Sequence, residues 1–163
     1  LSDREWEAVV DYTLQRVNGK IPVIAGIGRN DTRHTLWLNK RARILGVQGT
    51  LAVTPYYNKT TQTGLLRHYY TVADGADLPM LLYNVPSRTG MSITAETYSA
   101  LAQHPNIYGV KEASGDFGLM LKMRKLCPED SLPIRQQRMR FWHSMTMYFR
   151  FGVYREKQSW MNF

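Results

Sequence analysis

The sequence predicts an α/β fold in which parallel strands alternate with helices, and three observations predict it. Short apolar segments begin near residues 21, 50, 78 and 107, at intervals of about 28 residues. A segment with apolar residues at helical spacing follows each of the four. Polar residues lie where the apolar segments end. Strands and helices that alternate in this way form consecutive βαβ units around a parallel sheet.

The first elements carry clear end signals. Residues 2–17 are predicted to form a helix, because Ser2 can serve as the N-cap and Glu5 completes a capping box. Residues 21–28 form a continuous apolar run of the kind that is buried on both faces of a parallel sheet. The remaining predicted elements are, in order, a helix capped by Asp31 or Thr32 and ending at Leu45, a strand at 50–57, a helix at 61–73, a strand at 78–85, a helix at 94–103, a strand at 107–113 and a helix from about 116 to 126.

The positions of the polar residues favour a barrel over an open sheet. Segments 54–57, 83–84 and 111–112 lie at or near the carboxyl ends of predicted strands, and a (β/α)8 barrel gathers those ends into one site. An open, doubly wound sheet more often carries a glycine-rich phosphate loop after one strand. Residues 26–28 (Gly-Ile-Gly) are the candidate for such a loop, but the third glycine is missing at the required spacing.

Composition indicates a globular protein. Hydrophobic residues make up 44% of the 163 residues and charged residues 21%. No run approaches 18 uninterrupted apolar residues, and the first residues are typical of a helix start rather than of a signal peptide, so we expect a cytoplasmic protein without a membrane segment. The single Cys127 cannot form an intrachain disulfide and is interpreted as a structural thiol.

The positive charge is concentrated in the last part of the chain. The net charge is +8, and residues 131–163 contain six Lys or Arg and one acid. Their aromatic and basic residues follow neither a period of 2 nor one of 3.6, and no strand is predicted where the repeat requires one. We therefore divide the chain into a barrel segment at 1–130 and a basic aromatic tail at 131–163. The tail is interpreted as a frameshift product or a disordered segment, and a basic interaction segment is the alternative.

Lys111 is the first candidate for chemistry. It lies in the apolar run Ile-Tyr-Gly-Val-Lys-Glu-Ala at 107–113. An amine among apolar neighbours loses solvation, which favours its neutral form and allows it to attack a carbonyl group. The sequence therefore suggests Schiff-base chemistry, and a strand-end lysine that extends to water is the alternative.

Three motifs together identify a family. They are Val-Thr-Pro-Tyr-Tyr-Asn-Lys at 53–59, Tyr-Asn-Val-Pro-Ser-Arg-Thr-Gly at 83–90 and Gly-Val-Lys-Glu-Ala-Ser-Gly-Asp at 109–116. In this order the chain, over residues 1 to about 130, resembles the dihydrodipicolinate synthases of the pyruvate-dependent class I aldolases, a superfamily that also contains N-acetylneuraminate lyase. The resemblance implies a partial (β/α)8 TIM barrel made of about strands three to six.

The resemblance also implies roles for individual residues. Lys111 matches the lysine that forms an imine with pyruvate, and Tyr83 matches the tyrosine that relays protons. Tyr57 matches a catalytic tyrosine that reaches across a dimer interface. Arg88 matches the arginine that binds the carboxylate of aspartate semialdehyde, and a guanidinium suits this role because it forms two parallel hydrogen bonds. Neuraminate lyases lack an arginine at this position.

A regulatory site is a further implication of the resemblance. Asn30 and Tyr56 match positions that line the lysine-inhibition pocket of some members. His34 stands where lysine-sensitive members usually carry a glutamate, so a lysine ligand would lose a charge partner. Lysine regulation is therefore not assigned to this chain.

The activity implied is condensation of pyruvate with L-aspartate 4-semialdehyde to 4-hydroxy-tetrahydrodipicolinate, for lysine and diaminopimelate synthesis. The family implies a homo-oligomer, dimer or tetramer; nucleic acid and membrane partners are not expected, and neither is a cofactor or a metal. We expect weak or no turnover, because the upstream segment and the last two barrel strands of the family are absent. The alternatives are a related pyruvate aldolase and a non-catalytic protein that binds through its basic tail.

Overall fold

The computed structural model describes residues 1–127 and the backbone of residues 146–149. Its sheet has four parallel strands whose spatial order equals their order in the chain. Successive βαβ crossovers have the same hand, so the connecting helices cover one face of the sheet. The parallel strands are β1 (Ile24–Gly26), β2 (Gly49–Val53), β3 (Met80–Asn84) and β4 (Ile107–Glu112).

The helices confirm the predicted alternation of elements. Five of the six occupy predicted positions, and the short helix between β3 and the following helix was not predicted. It begins with Pro86 at its first position, where a missing N–H costs nothing, and Gly90 ends it in a left-handed conformation with φ 72°. The helices are α1 (Asp3–Val17), α2 (Thr32–Leu45), α3 (Gln62–Asp74), α4 (Pro86–Thr89), α5 (Ala95–Leu101) and α6 (Phe117–Leu126).

Capping residues set the helix ends as predicted. The Ser2 side chain accepts a hydrogen bond from the backbone of Glu5, and the Glu5 carboxylate accepts one from the backbone of Ser2. Asp31 caps α2 by accepting from the backbone N–H of His34 at 2.6 Å. Gly46 ends α2 at φ 88°, a conformation that side chains with a Cβ atom rarely adopt.

The first strand differs from its prediction. Residues 21–28 were expected to be buried on both faces, but β1 has three residues, and Ile24 is 44% exposed whereas Ala25 is 4% exposed. Side chains alternate between the two faces of a strand, and the helices cover one face only. The face that carries Ile24 is therefore open to solvent.

The core lies between the sheet and the helices. Leu38, Leu65, Leu82 and Leu101 from four different elements are buried there. Trp6 joins α1 to this core, because its indole Nε1 donates to the carbonyl of Gly26 at 2.8 Å. The sheet and its helices therefore form one packed unit in the described residues.

Beyond residue 127 the structure describes one further strand. Strand β5 (Thr146–Phe149) pairs antiparallel with β4, although no strand was predicted there. Because it is antiparallel, it does not extend the βαβ repeat. The prediction of a frameshift product or disordered tail otherwise falls outside the described residues. Cys127 is a free, buried thiol, and burial raises its pKa.

None of the helices described is both long enough and apolar enough to span a membrane. The expected cytoplasmic location stays a prediction.

Candidate active site

Lys111 and Tyr83 lie side by side at the carboxyl ends of two neighbouring strands. They are register partners in the parallel pairing of β3 and β4. The Lys111 Nζ atom lies 4.0 Å from the centre of the Tyr83 ring. This is the geometry of a cation–π contact, in which the negative face of an aromatic ring attracts an ammonium group. The two residues that the sequence singled out separately are thus in direct contact.

Two details of this pair differ from the expectation. Lys111 is half-buried and not enclosed by apolar neighbours, because its strand carries helices on one face only. The contact with Tyr83 is made by the face of the ring. Within residues 1–127, no hydrogen bond joins the phenol hydroxyl to the amine. In this geometry the hydroxyl and the amine are not placed for direct proton transfer.

A buried polar network lies directly behind this pair. Glu112 is 2% exposed, and Asn84 is its register partner on β3. The Asn84 amide donates to both oxygens of the Glu112 carboxylate at 3.1 and 3.0 Å. The Tyr98 hydroxyl on α5 donates to Glu112 Oε2 at 2.8 Å, and the backbone N–H of Ser114 donates to Glu112 Oε1 at 2.8 Å.

Asn84 and Glu112 were predicted at the strand ends without a role, and Tyr98 and Ser114 were not singled out by the sequence. The available signal was a polar residue at the end of each apolar run, next to Tyr83 on one strand and next to Lys111 on the other. Burial of Tyr98, and then the nearby Glu112 carboxylate, raise the pKa of the Tyr98 phenol well above its usual value. The phenol therefore remains a hydrogen-bond donor at neutral pH.

Arg88 is positioned by the short helix that the sequence did not predict. It lies on α4, immediately after β3, and is exposed to solvent. Its backbone N–H donates to the carbonyl of Val85 at 2.9 Å. Its guanidinium makes no ion pair with any residue in 1–127. Among these residues, no carboxylate competes with an anionic ligand for this side chain.

Tyr57 lies in the loop between β2 and α3. Strand β2 ends at Val53 rather than at residue 57, so this tyrosine is not part of the sheet as predicted. It is 89% exposed and has a left-handed backbone with φ 70°. The structure does not bring it into contact with Lys111 or Tyr83 through any hydrogen bond or ring stacking in the described residues.

The two candidate regulatory residues, Asn30 and Tyr56, are linked through a third residue. The Asn58 amide donates to the backbone carbonyl of Asn30 at 3.1 Å, and the Asn58 backbone N–H donates to the carbonyl of Tyr56 at 2.8 Å. Asn30 borders an open cleft of about 480 Å³ whose lining does not include Tyr56. His34 makes a 2.8 Å contact with Asp3 instead of facing this cleft.

No cluster of three or more His, Cys, Asp or Glu side chains suited to a metal ion lies in the part of the chain that the structure describes.

Parallel strands with following helices, and polar side chains gathered at the carboxyl ends, define a segment of a (β/α) barrel. The model of the Dihydrodipicolinate synthetase family matches residues 1–133, and the chain belongs to this family. The 4-hydroxy-tetrahydrodipicolinate synthase of Macrococcus caseolyticus (strain JCSC5402) is 46% identical over 130 residues, which cover 80% of this chain and 44% of that protein.

Solved structures agree with the family. One of them is the chloride-inhibited dihydrodipicolinate synthase from Acinetobacter baumannii, complexed with pyruvate, with a TM-score of 0.73 at 43% identity. The match covers 78% of this chain and 45% of the Acinetobacter chain. The dihydrodipicolinate synthase from Cyanidioschyzon merolae with lysine bound has a TM-score of 0.78 at 41% identity, and the match covers 81% of this chain and 45% of that chain. The chain spans less than half the length of the relatives that it matches, and the expected partial barrel is confirmed.

Proposed function

We propose that the chain carries the imine-forming site of a 4-hydroxy-tetrahydrodipicolinate synthase, a class I lyase that condenses pyruvate with L-aspartate 4-semialdehyde. The observation that carries the proposal is the position of Lys111 Nζ, 4.0 Å from the Tyr83 ring at the carboxyl ends of adjacent strands. The name of the Macrococcus relative and the solved pyruvate complex support this substrate.

The chemistry follows from the lysine amine. The neutral amine of Lys111 adds to the carbonyl carbon of pyruvate to give a carbinolamine, which takes up a proton on its hydroxyl group and loses water to leave a protonated imine. The imine withdraws electrons from the methyl group, so that loss of a methyl proton produces an enamine. The enamine carbon bonds to the aldehyde carbon of the second substrate, and the aldehyde oxygen takes up a proton. In this proposal the Tyr83 hydroxyl carries protons in these steps once a change in the side-chain conformation of Tyr83 or Lys111 brings it within reach of the nitrogen.

Arg88 supplies the preference for an acidic aldehyde in this proposal. Its exposed guanidinium can bind a carboxylate through two hydrogen bonds, whereas an uncharged sugar aldehyde offers no such group. In the variant Arg88→Leu, pyruvate trapping by borohydride should be unchanged. Added aspartate semialdehyde should then consume the enamine no better than an uncharged aldehyde does. Equal consumption of both aldehydes by the unmodified chain would favour a related pyruvate aldolase instead.

Borohydride trapping tests the imine itself. Pyruvate and borohydride should produce a reduced pyruvate adduct, which peptide mass spectrometry locates on Lys111. Lys111→Arg should abolish the adduct. Lys122→Arg is the matched control, because Lys122 is an exposed lysine on α6 and should leave the adduct unchanged. A folded chain that forms no adduct on Lys111 overturns the proposal.

A homo-oligomer is part of the same proposal. Tyr57 is 89% exposed on a loop, which suits a side chain that contacts a second copy of the chain. Tyr57→Ala should lower the sedimentation coefficient of the unmodified chain. If the unmodified chain sediments as a monomer at every concentration measured, the proposed homo-oligomer is contradicted.

A further inference from the structure

The Glu112 network ties together the two strands that carry Lys111 and Tyr83. Glu112 follows Lys111 directly on β4, and Asn84 follows Tyr83 directly on β3. Consecutive side chains of a strand point to opposite faces of the sheet. Glu112 and Asn84 therefore face the helix layer, where Tyr98 of α5 completes their hydrogen bonds, while Lys111 and Tyr83 meet on the open face.

The Glu112 carboxylate acts as the acceptor in each of its hydrogen bonds. The Asn84 amide, the Tyr98 hydroxyl and the Ser114 backbone N–H each donate a hydrogen bond, and the carboxylate accepts all of them. A buried carboxylate in this state is fully satisfied, and loss of a donor removes one of its hydrogen bonds in a region shielded from water. The network consequently resists small displacements of one strand end relative to the other.

The network adds to a regular backbone ladder at the carboxyl end of β3 and β4. The pairing of β3 with β4 shifts register between Met80 and Leu81, near the amino end of β3. Beyond that irregularity the pairs are regular, and Tyr83 lies opposite Lys111. The backbone ladder continues to the Asn84 and Glu112 pair, where the side chains add two further hydrogen bonds.

We propose that Glu112 is a positioning residue, which acts through Asn84 and Tyr98 to hold the amine of Lys111 above the Tyr83 ring. Glu112 touches neither the substrate nor the reacting nitrogen. Its effect on imine formation rests on the proposed function, but its effect on the position of Lys111 does not.

Nuclear magnetic resonance of the full chain tests the position directly. Protons held above the face of an aromatic ring resonate upfield, so the Lys111 ε-methylene should show a ring-current shift that disappears in Tyr83→Leu. In Glu112→Gln and in Tyr98→Phe, the Lys111 shift should lose most of its size. Glu96→Gln is the matched control, because Glu96 is an exposed glutamate on α5 outside the network, and it should preserve the shift.

The two network variants separate position from charge and from folding. Tyr98→Phe retains the carboxylate and the aromatic volume and removes one hydrogen bond, so a loss of the shift in this variant cannot come from a change of charge. Circular dichroism establishes which variants are folded, and if Glu112→Gln does not fold, Tyr98→Phe decides by the same criterion. An unchanged Lys111 shift in the folded variants overturns the proposal.

Trapping kinetics connect the position to chemistry. A displaced amine should form the pyruvate imine more slowly, by up to about 10²-fold for a misplacement of 1 Å. The unmodified chain serves as the reference. If it forms no adduct, the proposed function fails, while the ring-current result still decides the role of Glu112. If adduct formation is normal and the folded variants form adduct at the reference rate, the positioning role fails alone.

Discussion

The Nζ atom of Lys111 lies 4.0 Å above the ring of Tyr83, its register partner on the neighbouring parallel strand. In this contact the amine meets the face of the ring, and in the described residues the phenol hydroxyl makes no hydrogen bond to it. The aromatic face and the hydroxyl of Tyr83 therefore have separable consequences for the proposed reaction.

Tyr83→Phe should separate these two consequences. The variant retains the ring beneath Lys111 but removes the proton-carrying hydroxyl, so pyruvate imine formation should slow by about 10²-fold. The Lys111 ring-current shift should remain. Borohydride trapping over time measures the rate, and Tyr108→Phe, at a half-buried tyrosine on β4, is the control. Equal rates in the Tyr83 variant and the unmodified chain would remove the hydroxyl from the mechanism.

His68 should make stability depend on pH. Burial lowers its pKa from 6.5 to about 4, and its Nδ1 lies 2.8 Å from the Thr32 hydroxyl. As pH falls from 6.5 towards 4, the unfolded chain binds a proton that the folded chain does not, which lowers the free energy of unfolding. The loss through this group should reach about 3 kcal/mol.

Urea titrations at pH 7 and pH 4 measure this loss. The variant His68→Gln cannot take up the proton, so its free energy of unfolding should fall less between the two pH values than that of the unmodified chain. Identical pH dependence in both proteins would show that His68 does not titrate as its burial indicates.

Asn39 should stabilise the junction of α2, α3 and β2. Its buried amide donates to the carbonyl of Val72 at 2.8 Å, in the last turn of α3, where carbonyl groups lack helical partners. Its oxygen accepts from the Thr50 hydroxyl at 3.1 Å. Asn39→Leu leaves both groups buried without a partner and should cost about 2 to 4 kcal/mol.

Chemical denaturation tests the Asn39 prediction with two comparisons. Lys40→Ala changes an exposed neighbour on the same helix and should alter stability little. Thr50→Val, combined with Asn39→Leu, removes one of the unpartnered groups and should recover part of the loss. A cost below that of Lys40→Ala would contradict the proposed hydrogen-bond role.

Gly28 should be intolerant of a side chain, in contrast to Gly26. A Cβ atom at Gly28 would lie 2.5 Å from the backbone nitrogen of Val53, whereas a Cβ at Gly26 would meet nothing within 4 Å. Gly28→Ala should therefore cost about 1 to 3 kcal/mol through overpacking. Gly26→Ala is the matched control in thermal unfolding. Equal melting temperatures for the two variants would show that the backbone at Gly28 moves away from Val53 at no cost.

Local signals predicted most of the architecture. Ser2 was identified as a cap, and the second cap was narrowed to Asp31 or Thr32, because capping depends on a side chain and a backbone group three residues apart. The strand positions followed from the spacing of apolar segments. The exposure of Ile24 did not, because an apolar run does not indicate which face of a strand will be covered. The same limit applies to Gly28, whose reason for being glycine lies in its approach to Val53.

The candidate site also combines features that the sequence predicts with features that only the tertiary structure shows. By itself the sequence identified the family and led to the prediction of Lys111, Tyr83 and Arg88 as site residues, because these residues lie in contiguous motifs whose order along the chain is specific. Only the tertiary structure decided that the amine meets a ring face, and that Glu112, Asn84 and Tyr98 form one buried network behind it. The physical reason is that register between strands and packing of α5 on the sheet join residues far apart in the chain, and local sequence patterns do not specify those distances.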